Sequence, residues 1–329
     1  MELLKTVQSA FTGGKQQTTV KEINIYPIKS CAEIQVKTTT ITSRGFRYDR
    51  IFQVVTNVDG AWSFCTPRER AYEKLFHIKP QMSDDGKQLT LSSPYAKEKF
   101  ILQLEGASTT QLETTVMGGN KVMLDDYGNE VSEWLKEATG INDPHLVGYI
   151  DNKDFHRSVE VNPDQGEALP PSTTSIPISL ADEAPFLLTT KQSLSDLNKR
   201  LKSAGKDQID MRRFRPNFVL DGGLKPWEED SMKRIKINSI EFHVWQRCGR
   251  CTMTTIDRDT LKRCGEPLNT LSTFRERDHG MRNFGMHLIP VLDNGDNENN
   301  MGHISVGDTV EVLEYDEDRR AEWTRLFGK

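Results

Sequence analysis

Apolar residues in this chain come mostly in runs too short for a helix, and turn formers separate the runs. Ile23, Ile25 and Tyr26 open one run that Pro27 interrupts. Ile51-Phe52-Gln53-Val54-Val55 is apolar and β-branched, and it stops at Asn57 and the turn pair Asp59-Gly60. Leu89-Thr90-Leu91, Val122-Met123-Leu124 and Phe218-Val219-Leu220 read as further short strands. Ile240, Phe242 and Val244 alternate with Glu241 and His243, predicting a half-buried strand that ends at Gln246-Arg247, just before Cys248. Val310 and Val312 alternate again after Gly307-Asp308. Helical spacing is confined to Val131–Thr139, closed by Gly140, and to Leu194, Leu197 and Leu201, with Thr189 or Thr190 as cap and Gly205 behind. A charged helix or tail from Asp316 to Phe327 follows. Short strands with few helices predict an all-β or α+β barrel architecture, and they do not support a parallel βαβ series.

At 329 residues the chain has room for roughly two domains. Residues 151–178 hold Asn162-Pro163-Asp164, Pro170-Pro171 and a Ser/Thr run, too polar to pack and too rich in turn formers to extend. They predict a linker or surface loop, and 293–303 (DNGDNENNMGH) a second polar loop. The expected division is a tail at 1–20, a first β module at 21–150, the linker, a second β domain at 179–315, and a terminal helix or tail at 316–329. Acids outnumber bases 48 to 43, a net charge of −5, which argues against a general nucleic-acid binder. No apolar run approaches membrane-spanning length, and the first twenty residues carry neither a secretory apolar stretch nor an arginine.

Five cysteines are too few, and odd in number, for a disulfide scaffold, but Cys248, Cys251 and Cys264 fall within seventeen residues. In Arg247-Cys248-Gly249-Arg250-Cys251-Thr252-Met253-Thr254-Thr255-Ile256-Asp257, two thiols follow a strand and are flanked by arginines. Guanidinium charge favours thiolate, the form that attacks and ligates. Four readings stay open. A zinc site would take Cys248, Cys251 and Cys264 with His279 or His287, although no second C-x-x-C or H-x-x-x-H pair is present. A thioredoxin-like disulfide would open a helix, whereas Thr252–Ile256 reads as strand. Two buried thiols could pack as small hydrophobes. The fourth reading is one cysteine binding a soft metal carried in a cofactor.

Arg212-Arg213-Phe214-Arg215-Pro216-Asn217 offers guanidinium forks for phosphate or carboxylate, or else a solvated basic turn before an edge strand. Tyr26-Pro27-Ile28-Lys29-Ser30-Cys31 can present an ammonium and a hydroxyl to an anion. Arg47-Tyr48-Asp49-Arg50 alone reads no better than a surface ion-pair cluster. No Ser-His-Asp set, P-loop or G-x-G-x-x-G is legible.

Seven stretches, YPIKSC (26–31), GFRYDRIFQVV (45–55), APFLLTT (184–190), FRPNFVL (214–220), RCGRCTMTTID (247–257), EPLNTL (266–271) and VGDTVEVL (306–313), together resemble the MOSC-domain family with its N-terminal β-barrel module. Within it the resemblance is to the mitochondrial amidoxime-reducing component group, whose MOSC domain is also similar to the C-terminal domain of molybdenum cofactor sulfurase. It implies a mainly β, α+β fold of two barrel modules and a molybdenum–molybdopterin cofactor. It carries the molybdenum-ligating, catalytic cysteine over to Cys251. The cofactor-binding set becomes Lys29, Ser30, Arg50, Asp182, Glu183, Arg215, Asn217, Gly249 and Cys251. It further implies reduction of N-hydroxylated substrates such as amidoximes and hydroxylamines. Electrons would come from cytochrome b5 and its NADH-dependent reductase, docking on a local basic face. The location implied is mitochondrial or cytoplasmic. The alternative is a MOSC protein that binds or carries the cofactor, or transfers sulfur through Cys251. The chain departs from the family at four places: Asp182-Glu183-Ala184 where Ser or Thr precedes P-F-L, Gly249 for Ser, Leu261 for Gly, and His287 for an aromatic.

Overall fold

The structure is a computed structural model that describes residues 17–104, 110–150, 155–161, 169–170, 173–277, 280–292 and 297–328. Strands dominate, as the short apolar runs require. Phe52–Val58, Ala61–Phe64, Gln111–Thr115, Lys121–Asp126 and Pro144–Gly148 close into a small barrel. Its first hairpin turns at Asp59 and Gly60, both at positive φ (52° and 87°), the primed turn that matches strand twist. Inside lie Val55, Leu124 and Val147. Helix α1 (Asn129–Thr139) packs Val131, Trp134, Leu135 and Ala138 in a second core with Phe52, Val54 and Leu146 of the barrel strands, and stops at left-handed Gly140, whose N–H donates to the Lys136 carbonyl.

The larger sheet has nine strands. Its order is Ile34–Val36, Thr19–Ile25, Phe218–Asp221, Phe186–Thr190, Met281–Pro290, Ile240–Gly249, Met232–Ile237 and Val310–Tyr315, with Glu276–Arg277 beside Met281–Pro290. Backbone bonds from Val20 N to Asp308 O (2.9 Å) and from Val310 N to Thr18 O (2.9 Å) draw its far ends together. Its core brings Phe46, Phe186, Phe218 and Phe242 to centroid separations of 4.8–5.9 Å. Each such ring pair adds about 0.5–1.5 kcal/mol beyond area burial.

Helices α2 (Lys191–Ser203), α3 (Leu268–Arg275) and α4 (Glu317–Phe327) cover one flank, packing Leu197, Leu201, Leu271 and Trp323 around Trp227 and Phe284. Thr190 caps α2 by accepting from Ser193 N (3.1 Å), and Asp316 caps α4 by accepting from Arg319 N (2.9 Å).

Three expectations need correction. Phe186–Thr190, α2 and Phe218–Asp221 form a βαβ unit with parallel strands, because the helix supplies the long crossover that parallel pairing needs. The Ile240 strand continues through Cys248 to Gly249, and Thr252–Thr255 is a 3-10 turn rather than strand. The expected linker contains paired strands, Ser158–Glu160 with Ser175–Pro177. Residues 151–154, 162–168 and 171–172 of that linker, 293–296 of the second loop, and His279 lie outside the described residues. The expected division at 21–150 and 179–315 is one of sequence; in space, Thr19–Ile25 ladders onto Phe218–Asp221 of the large sheet.

Candidate cofactor site

All nine residues read from the sequence line one cavity of about 330 Å³ between the small barrel and the large sheet. The 26–31 segment is fixed against the start of the barrel by Lys29 N to Phe52 O (2.8 Å) and Phe52 N to Pro27 O (3.0 Å). Asp49 is 1% exposed, so Arg47–Arg50 is no surface ion-pair cluster. Its Oδ1 accepts from Tyr26 N (2.7 Å) and its Oδ2 from Arg50 Nη1 (2.5 Å), which aims the Arg50 guanidinium. Arg215 donates to the Cys31 carbonyl (2.6 Å). Arg50 and Arg215 sit 5.0 and 4.2 Å from the Tyr26 ring centroid. Ser30, Arg50 and Arg215 all have positive φ, at 71°, 50° and 55°. Such strained backbone persists only where surrounding structure over-determines it, and it concentrates at binding sites.

Seven cationic side chains and two carboxylates line the cavity. Lys29 is buried, donating to Asp182 Oδ1 and to the Leu180 carbonyl (3.0 Å). Burial pulls its ammonium below the usual range, while Asp182 pulls the other way. Burial would raise the Asp182 carboxyl, but Lys29, Arg50 and Arg68 hold it below the ordinary carboxylate value. Asp182 therefore serves the cations before it could serve a ligand. Asn217 is buried with Oδ1 accepting from Leu187 N (3.1 Å) and Nδ2 donating to Asn24 O (3.3 Å), so its amide joins the strands that form the wall. Ser30 Oγ donates to the Cys65 carbonyl (3.3 Å).

The two cysteines differ. Cys248 is buried in the strand, accepting from Arg250 Nη1 at 2.7 Å. Burial still raises its thiol above the usual value, with Arg250 opposing, so the flanking arginine does not outweigh burial at this sulfur. Cys251 is partly exposed, faces the cavity and leads the 3-10 turn, its carbonyl pinned by Thr254 N (3.1 Å) and Thr254 Oγ1 (2.9 Å). Arg247, one of the flanking arginines, projects to the other side of the strand, onto Asp230 (3.1 Å) and Glu322 (2.7 Å). Among the described residues no three His, Cys, Asp or Glu side chains cluster to hold a metal, which removes the four-ligand zinc reading for Cys248, Cys251, Cys264 and His287.

Sequence reasoning missed Arg68 and Arg258, which no motif marks, and Met281, which closes over Gly249. A Cβ at 249 would meet Met281 Cε at 2.0 Å, so the missing hydroxyl leaves room that the flexible Met281 fills. His287 is buried in the wall with Glu183 Oε2 at 3.8 Å. Buried N–H groups without partners point to what the cavity accepts: Arg68 Nε, Arg215 Nη2, Arg250 Nε, and Arg258 Nε and Nη1. Unmet guanidinium donors in a cationic pocket suit an oxyanion with several acceptor oxygens, and a partly exposed thiol beside them suits a soft metal.

The MOSC domain family matches residues 176–311, and the MOSC N-terminal beta barrel domain matches 17–142. The chain is 30% identical over 304 residues to mitochondrial amidoxime-reducing component 1 of Mus musculus, covering 91% of this chain and 83% of that protein. The Homo sapiens counterpart is 29% identical over 310 residues, covering 91% and 84%. Molybdenum cofactor sulfurase of Solanum lycopersicum is 29% identical over 276 residues, covering 81% of this chain but 32% of that protein.

Proposed function

The chain belongs to the MOSC-domain family, with the family's N-terminal β barrel in front, and on that premise we propose that it is a molybdenum-cofactor oxidoreductase that reduces N-hydroxylated compounds. The observation that carries this reading is the convergence of nine residues from both halves of the sequence on one cationic cavity that holds the Cys251 thiol. The orphaned guanidinium N–H groups fit a phosphate-bearing pterin. Lys29, Arg50 and Arg215 would hold its anionic and carbonyl oxygens, and the sulfur of Cys251 would bind the metal. When bound, the cofactor supplies two-electron chemistry at molybdenum. The balance is one N–O bond broken, two electrons and two protons taken up, and an N–H compound and water released. The chain's part is to keep the cavity positively charged, to fix the thiol, and to leave Cys251 accessible from one side. Electrons from cytochrome b5 and its reductase belong to the same proposal, as does a mitochondrial site of action, which the names of the amidoxime-reducing relatives support. No helix among the described residues is long and apolar enough to cross a membrane.

A second reading rests on the comparable identity, 29–30%, to molybdenum cofactor sulfurases, of which the match covers about a third: the cavity could bind the cofactor in order to carry it or to pass sulfur through Cys251. Elemental analysis of the purified protein separates these from all others. We expect about one molybdenum per chain, lost in Cys251→Ala with the fold intact, since this side chain is only partly buried. Zinc in place of molybdenum, or molybdenum retained in the variant, overturns the site. Turnover of an amidoxime with reconstituted cytochrome b5 and its reductase then distinguishes reductase from carrier.

A further inference from the structure

Arg258 lies outside the nine residues read from the sequence. It is 8% exposed, stacks its guanidinium 3.6 Å from the Phe76 ring centroid, and donates Nη2 to the Arg213 carbonyl (3.0 Å). Its Nε and Nη1 are buried without a partner, as is Nη2 of Arg215. The neighbouring arginines are neutralised, Arg212 by Asp259 at 2.6 Å and Arg213 by Asp257 at 3.0 Å. Among the described residues neither Arg215 nor Arg258 has a carboxylate at such range. Burial, and then the Arg215 charge beside it, push Arg258 down to about 9. Both arginines line the cofactor cavity and also a second cavity of about 620 Å³, where Lys79 and Ser93 add donors and Glu33 is the one carboxylate besides the occupied Asp259.

We infer that Arg258 and Arg215 together form a phosphate site in the wall shared by the two cavities. Planar guanidinium forks match phosphate oxygens bidentately, and the free N–H groups are the ones the protein leaves unmet here. The phosphate has two possible sources. One is the terminal phosphate of the pterin, reaching in from the first cavity, and for this source the inference rests on the cofactor reading. The other is a phosphate-bearing small molecule entering through the second cavity.

The test is a calorimetric titration of the full-length protein, purified without cofactor, with inorganic phosphate, together with its thermal midpoint. We expect saturable binding that weakens at least tenfold in Arg258→Gln. In Arg258→Lys, which keeps the charge over Phe76 but loses the fork, an intermediate loss is expected. If cofactor-loaded protein no longer binds phosphate and Arg258→Gln retains less pterin, read by the fluorescence of the released pterin, the site belongs to the cofactor. If loaded protein binds phosphate as before, the ligand is separate. Absence of phosphate binding in the cofactor-free protein, or unchanged binding in both variants, overturns the site and leaves Arg258 as a structural cation on Phe76. Failure of the cofactor reading shows differently, as protein that never acquires pterin while phosphate binding persists.

Discussion

His287 sits 6% exposed in the cavity wall, and its proton affinity follows from that burial. Desolvation pushes it down to about 4, against the opposing pull of Glu183. Unfolded, a histidine takes its proton near 6.5. Between those values the unfolded chain holds a proton that the folded chain lacks, so stability falls as pH drops from 6.5 toward 4. The full loss amounts to about 3 kcal/mol. In His287→Phe, which keeps an aromatic ring without the titrating nitrogen, the urea midpoint should fall less between pH 6.5 and 4; parallel pH profiles for the two proteins would refute this. The residue scale is also where the sequence said least about environment. The spacing of the two thiols treats Cys248 and Cys251 alike, and only the fold buries one and opens the other. Arg50 was marked by the family resemblance and not by its own stretch, because the burial of Asp49, which aims it, comes from packing of Tyr26–Cys31 against Phe52 and leaves no local signal. Arg258 was invisible for the same reason.

At the scale of elements, the loop after Cys251 sets one wall of the cavity. Asp257 Oδ1 accepts from Thr260 N (2.8 Å) and Asp259 N (3.2 Å), and its Oδ2 meets Arg213 (3.0 Å), which fastens the loop to the arginine-rich turn. Leu261 closes this turn at φ 56°, where the family's glycine was expected. The altered residue therefore keeps the left-handed backbone instead of changing it, at a cost of about 1–2 kcal/mol for a side chain in that region. Leu261→Gly should stabilise the protein by roughly 0.5–1 kcal/mol, the remainder being returned by the more flexible unfolded chain. A lower urea midpoint in the variant would mean that Leu261 packing outweighs the strain. Strands and helices with clear periodicity were legible: the Val131 helix, the Leu194 helix, the Ile51 run ending at the Asp59-Gly60 turn and the alternating Ile240 strand all form. Helix α3 was not, since Leu268–Arg275 spans eight residues with weak apolar periodicity. The parallel pairing of Phe186–Thr190 with Phe218–Asp221 was missed because pairing direction is a tertiary choice; each strand alone reads the same either way.

For the molecule as a whole, a net charge of −5 coexists with a cavity lined by seven cations and two carboxylates, so the overall balance hid where the positive charge is spent. The same holds for domain organisation. Val20, Ile23, Ile25, Ile41 and Phe46, all from the first fifty residues, pack in one core with Phe186, Phe218 and Phe242. Thr19–Ile25 supplies Phe218–Asp221 with its antiparallel neighbour, Arg263 pairs with Glu73, and Lys29 pairs with Asp182. Because the ladder, the core and the cavity all cross the polar stretch in mid-chain, we expect the two halves to stay together without it. Cleavage at a protease site engineered between Val161 and Leu169 should leave two pieces that elute together at the intact volume. They should unfold in a single transition, since an exposed strand edge and a halved apolar core are the cost of separation. Two folded pieces resolved by gel filtration would show that the barrel and the large sheet are independent and that the cavity between them is an ordinary domain interface. Should the cleaved protein also carry the molybdenum proposed for the intact chain, the cavity is held by these crossing contacts and needs no continuous chain between its halves.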